Sequence, residues 1–341
     1  MAEATLCPDI LARMDAAICD EFEKSARLRK IIPEVEMPDA RYGVVVPTVE
    51  RAEGALRSTT NQLVEPITLS REIQIDARQL EDLDLLVDLA RSATRSLCRV
   101  EDRIIAYGSF AVKSSFQTVT SVDHVRVTGL KGPSTKSPPI TAGLFTQKAA
   151  TSRPARADGK ISDVIANVVS LLDSDGLYQP YAAVFAPAGW AEYLSLPEED
   201  GRRIWATLGS RDVGPVGSSP HESNRPDANA EAHVCVFCNE SGRLDLARIQ
   251  HPTGSVRGYS SEGRLRYFIE EQFLLRVKDE RALMPVWKTP GTPPTHWYPT
   301  RKTVADEGTQ GSDGEQENDG EKKNDGEKKN AGTEGGEGIG E

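Results

Sequence analysis

Apolar residues recur at intervals of three and four over residues 8–26. Ile10, Leu11, Met14, Ala17, Ile18 and Phe22 fall on one side, and Asp15, Glu21 and Glu23 on the other. That spacing predicts an amphipathic helix, with Pro8 in the first turn, where a missing N–H is tolerated. Pro33, Pro38 and Pro47 bar a further helix. Over residues 42–76 the β-rich pieces "YGVVVPTV", "LVEPITL" and "REIQID" surround a polar middle. They predict a long two-stranded excursion rather than a compact hairpin. The strongest periodic run covers residues 79–106, where Leu83, Leu86, Ala90, Ala93, Leu97 and Ile104 make one stripe. As a helix it would reach roughly 40 Å, stopped by Gly108.

Residues 109–159 carry little pattern, and "GLKGPSTKSPPITAG" is loop composition. Residues 160–173 predict a second helix, with Ile161, Val164, Ile165, Val168, Leu171 and Leu172 on a broad face, ended by "DSDG". "YAAVFA" (181–186) reads as a buried strand. Short helices follow from Pro187 and over 198–208, then a Gly/Ser/Pro/Asn-rich surface loop. The remaining segments, from "HVCVFCN" to "ALMPVW", alternate with turns and predict one antiparallel meander. The class is α+β.

A chain of 341 residues with 38% hydrophobic residues can hold one large domain or two. Charge is uneven. Residues 306–341 contain 12 acids and 4 lysines, a net of -8 out of the chain's -11. This acidic tail, with "NDGEKK" repeated, has little to bury and is expected to stay disordered, as a solvating segment or a tether for a partner. The first residues lack the basic start and apolar run of a signal peptide. No segment approaches the roughly 20 apolar residues of a membrane helix. Five scattered cysteines suit a reducing cytoplasm. The acidic balance disfavours nucleic acid.

Candidate chemistry is thin. His233, Cys235 and Cys238 form half of a zinc knuckle, without a second half. In a strand Cys235 and Cys238 would face opposite sides. "DSDG" (173–176) lacks the other ligands of a calcium loop and suits a helix cap. No nucleophile elbow, phosphate loop or H-E-x-x-H is present. The histidines at 124, 221, 233, 251 and 296 have no evident nucleophile partner. In "EDRIIAYG" (101–108), Glu101 and Asp102 would point about 100° apart on a helix. Glu101 reads as a member of a surface ion pair with Arg99 or Arg103, at the end of a structural helix. No cofactor or metal is implied.

The same run resembles the E-D-x-x-I-F-x-G pattern of encapsulin shell proteins, with Ala106 where a larger residue is usual. Asp175–Leu194 is similar to that family's D-G-x-x-x-P-Y-x-L-V segment and the short helix after it. Ser241–Leu283 is similar to its closing β segment, with Gly258, Tyr259, Arg266, Glu270, Phe273 and Val277 in matching places. The N-terminal helix and "RKIIPEVE" fit in order. The resemblance covers roughly residues 5–290 and implies the Hong Kong 97 phage capsid fold. The divisions it implies are an N-terminal helix and arm (1–41), an extended loop (42–76), a peripheral domain with the spine helix (77–174), an axial domain (175–232), a β meander (233–290) and the tail (291–341). The loops at 109–159 and 209–231 are longer than in the family, and the tail is extra.

By the same resemblance the chain would be a non-enzymatic subunit of an icosahedral homo-oligomer in the cytoplasm. It would enclose a cargo enzyme bearing a short docking peptide, such as a ferritin-like protein or a dye-decolourising peroxidase. No cofactor, membrane or nucleic acid would be involved. Ile10, Met14, Ile18 and Phe22 would offer the cargo groove, unless that face is core. Glu198, Glu199 and Asp200 would ring the five-fold pore, unless they serve only the start of a helix. The alternatives are the major capsid protein of a tailed phage or prophage and, from another class, a protease or bacteriocin-like enzyme.

Overall fold

The computed structural model describes residues 6–51, 57–108, 119–122, 124–129, 143–145, 160–216 and 231–288. The chain divides into Met1–Arg301 and Lys302–Glu341. The acidic tail lies outside the described residues, as do most of 109–159 and 217–230. Everything below concerns the first unit.

Helix α1 (Pro8–Ser25) starts at its proline. A 3-10 turn (Leu28–Lys30) and the short strand β1 (Glu34–Glu36) follow. Strands β2 (Val44–Arg51) and β3 (Arg57–Val64) pair with each other, and β4 (Ile67–Ile75) leads to helix α2 (Leu83–Tyr107). The spine helix begins later than its periodicity suggests, because Ala77–Glu81 is a separate 3-10 turn with a capping box between Asp76 and Gln79. Asp82 then caps α2 by accepting from the Leu85 N–H. Gly108, at φ 60°, ends it in a region where a side chain is disfavoured.

The buried stripe of α2 packs against α1 and a six-stranded sheet. That sheet is completed by β5 (Val119–Val122), β6 (Val125–Thr128), β10 (Leu244–Tyr259) and β11 (Leu265–Val277), in the order β1-β10-β11-β4-β6-β5. Strand β4 thus belongs to the main sheet between β11 and β6, and the predicted excursion stops at Val64. The last carbonyls of α2 would lack partners within the helix. A remote segment supplies them: Leu144 N–H donates to Ile105 O and Phe145 N–H to Ala106 O. Phe145 also stacks on Tyr107 at 5.3 Å and meets Trp287 edge-on at 6.4 Å.

The second sheet has the order β12-β9-β7-β8, from β7 (Tyr181–Phe185), β8 (Val213–Pro215), β9 (Glu231–Cys238) and β12 (Leu283–Lys288). Both faces are covered, as the unbroken apolar run of β7 requires. Tyr181, Ala183 and Phe185 pack with α3 (Ile161–Ser174) and α5 (Glu198–Leu208), with Trp190 and Tyr193 of α4 (Pro187–Leu194) against them. Ala182 and Val184 join the main core. Cys235 and Cys238 fall on opposite faces, one in each core. Two expected divisions therefore change. The last third is not one meander, because β9 and β12 belong to this sheet while β10 and β11 belong to the other. Helix α3 packs in a core with α5, β7, β9 and β12 rather than in that of the spine helix.

Candidate assembly surface

The β2–β3 arm is a ladder from Val44↔Val64 to Arg51↔Arg57, joined to no other strand among the described residues. Its base is held by one side. Val44, Val46 and Val64 pack on Ala247, Ile249 and Leu274, with Met37 and Ala40 alongside. Because strand side chains alternate, the other side carries Val45 and Leu63, exposed at 53% and 69%, and Tyr42 beside them is 97% exposed. An apolar surface at the root of a projecting arm suits contact with another chain.

Helix α1 presents no comparable surface at its expected docking residues. Met14, Ile18 and Phe22 are buried in the main core, and only Ile10 stays at its rim, half-buried. The groove reading is corrected for those three: they hold α1 against α2 and the sheet, so a cargo segment could reach them only by displacing the helix. Arg95 Nε donates to Glu21 Oε1 at 3.0 Å across the same contact.

Glu198, Glu199 and Asp200 form the first turn of α5, where no side chain caps the helix. Each end of the row has a local cation: Glu198 pairs with Arg202, and Asp200 with Lys160 at 3.0 Å. The negative charge suits the helix N-terminus. Glu199 is exposed.

Glu101 and Asp102 are buried, and Glu101 is not in the expected surface ion pair. Arg29 Nε donates to Glu101 Oε1 at 2.5 Å, and Nη2 of the same arginine reaches Glu271 Oε1 at 3.3 Å. Nη1 bonds Glu34, which also pairs with Arg248. The guanidinium lies between the rings of Phe22 and Phe273, 5.0 and 5.9 Å from their centroids. Burial opposes its charge, but Glu101, Glu271 and Glu34 outweigh burial and raise its pKa. Burial also raises both glutamates, against the pull of Arg29. Glu271 goes well above the usual carboxylate range, through burial first and then the repulsion of Glu101. Asp102 accepts from the Leu28 N–H at 3.1 Å, and burial pushes it up to about 7. The sequence reading missed this cluster, although both glutamates carry a signal. Glu101 sits on the α2 stripe, four after Leu97 and three before Ile104. Glu271 takes the buried register of β11 between Ile269 and Phe273.

Buried His233 faces Glu192 Oε2 at 3.1 Å, and Glu192 Oε1 accepts from the Ile161 N–H at the start of α3. Cys235 and Cys238 donate to the backbone carbonyls of Leu144 and Tyr178. In place of the calcium loop, Asp175 caps α3, and Gly176 follows with φ 76°. Among the described residues no group of three or more His, Cys, Asp or Glu is placed to hold a metal ion. None of their helices is long and apolar enough to cross a membrane.

No family model and no curated protein matches the chain. Among solved structures it is similar to the virus-like particle of Pyrococcus furiosus, at 16% identity over 81% of this chain and 98% of that one, with a TM-score of 0.49. It is similar to the capsid of the native GTA particle, at 15% identity over 78% and 90%, with a TM-score of 0.46. It is also similar to the holo-SrpI encapsulin complex of Synechococcus elongatus, at 10% identity over 76% and 85%, with a TM-score of 0.45. Each of those chains comes from a particle, a capsid or an encapsulin.

Proposed function

We propose that this chain is a self-assembling shell subunit of the encapsulin type, whose copies close into an icosahedral compartment around a cargo enzyme in the cytoplasm. The observation that supports the reading is the arm, which leaves Tyr42, Val45 and Leu63 in water. Covering one valine or leucine side chain fully is worth about 1.5–3 kcal/mol. A symmetric assembly repeats that gain at every copy. In this reading the first turn of α5 lines an opening, and Glu198, Glu199 and Asp200 favour cations there. The subunit itself does no chemistry.

The test is the mass and content of the purified chain. Sedimentation and electron microscopy should show closed particles of many subunits, holding a co-expressed ferritin-like or peroxidase cargo. A monomer or dimer at all concentrations removes the shell reading. Particles packed with nucleic acid, and no enzyme, replace the compartment with a phage-type capsid.

A further inference from the structure

We infer that Glu101 and Glu271 hold one proton between them around the guanidinium of Arg29, and that losing this proton weakens the joint between the Leu28–Lys30 turn, α2 and β11. Both carboxyl groups are fully buried, and each gives only its Oε1 to Arg29. The Oε2 atoms of both are buried and have no hydrogen-bond partner among the described residues. An ionised carboxylate in that position is expensive, and a neutral acid is much less so.

Charge counting points the same way. The 3-10 turn supplies Arg29, and β10 supplies Arg248. Against them stand Glu34 from β1, Glu101 from α2 and Glu271 from β11. Arg248 also meets exposed Glu36 and His251 at the outer end of the network, where water screens them. Asp102 and Cys98 of α2 lie beside Glu101, and Arg27 beside Asp102; Asp102 and Cys98 add no positive charge. Two arginines thus face three glutamates, and the charges balance only when one glutamate is neutral. Burial, and the repulsion of Glu101 on Glu271, favour Glu271 as the neutral one. The device stands on the subunit alone and does not depend on assembly.

The folded joint then binds a proton that the unfolded chain releases, so stability falls as pH rises from about 4.3, where an unfolded glutamate ionises, until the folded group has lost its proton. The experiment is urea unfolding of the full chain from acidic to alkaline pH, in wild type, Glu271→Gln and the Asp102→Asn control. In the control the folding constant should fall by up to about tenfold per pH unit across that window, and in wild type at least as steeply. Glu271→Gln, which mimics the neutral acid and does not ionise when unfolded, should lose this share of the fall and gain on wild type as pH rises. A Glu271→Gln chain that keeps the wild-type slope overturns the inference. If that variant does not fold, the infrared carbonyl band of a buried neutral carboxyl decides in the Asp102→Asn chain, where Asp102 cannot contribute. The band should be present at neutral pH and vanish in base, and its absence at neutral pH also overturns the inference.

Discussion

Val45 and Leu63 stand directly opposite each other across the β2–β3 ladder, and both face water. Their neighbours Val44 and Val64, one step along, are buried. The described base of the arm is therefore half core and half exposed, a division set by the two-residue period of a strand.

Placing a charge on the free side should separate folding from assembly. Val45→Asp or Leu63→Asp is expected to leave the subunit's circular dichroism and melting nearly unchanged while sedimentation shows small species instead of particles. Deleting residues 49–60 should do the same. Intact particles from either charge variant would place the contact elsewhere.

Met14 is fully buried on α1. Truncating it to alanine should cost about 2–5 kcal/mol in urea unfolding, far more than truncating Ile10 at the rim. Equal, small effects at both positions would restore the face as a surface available to cargo.

The acidic turn of α5 offers a transport test. Glu198→Gln with Glu199→Gln and Asp200→Asn should slow divalent-cation uptake by loaded shells. Particle yield should hold, because the exposed pairs with Arg202 and Lys160 contribute only about 0–1 kcal/mol. Unchanged uptake with lowered melting would reduce the row to a service to its own helix.

Asp102 sets a second pH dependence. Its folded pKa is pushed up to about 7, by burial first and then by Glu101, against about 3.9 in an unfolded chain. The folded state therefore holds the extra proton. Stability should decline from about pH 4 to about pH 7 by up to about 1.4 kcal/mol per pH unit, and this group should contribute no further slope above that. Asp102→Asn keeps an acceptor for Leu28 and should make that interval less steep. An unaltered slope would remove Asp102 from the titration.

At Gly143 a β-carbon would lie 2.3 Å from the Gly108 nitrogen and 2.4 Å from the Tyr107 nitrogen. Gly143→Ala must push the segment off the end of α2, with a loss of about 1–3 kcal/mol in thermal or urea unfolding. A neutral substitution would mean that the cap is dispensable.

Much of this was legible because local pattern and burial agree. The faces of α1, α2 and α3, the stop at Gly108 and the split of Cys235 from Cys238 all follow from period or turn chemistry. The sheet memberships did not. Whether β9 continues into β10 in one layer or leaves it for another depends on partners far along the chain. The capping of α2 by residues 143–145 is equally non-local. Glu101 was misread for a different reason: its place on the apolar stripe showed burial, but its cation, Arg29, is 72 residues away. Pairing Glu101 with the nearby Arg99 or Arg103 put a buried acid on the surface.

The contact between Gly108 and Gly143 also bears on how this chain can change in length. The polypeptide leaves the spine helix and returns to it at nearly one point, contributing the β5–β6 hairpin to the edge of the sheet on the way. A detour closed at its root places no geometric demand on the size of what lies within it. Each doubling of a flexible loop adds only about 0.6 kcal/mol. The joint at Gly108 and Gly143 is therefore indifferent to how many residues the chain holds between its two ends.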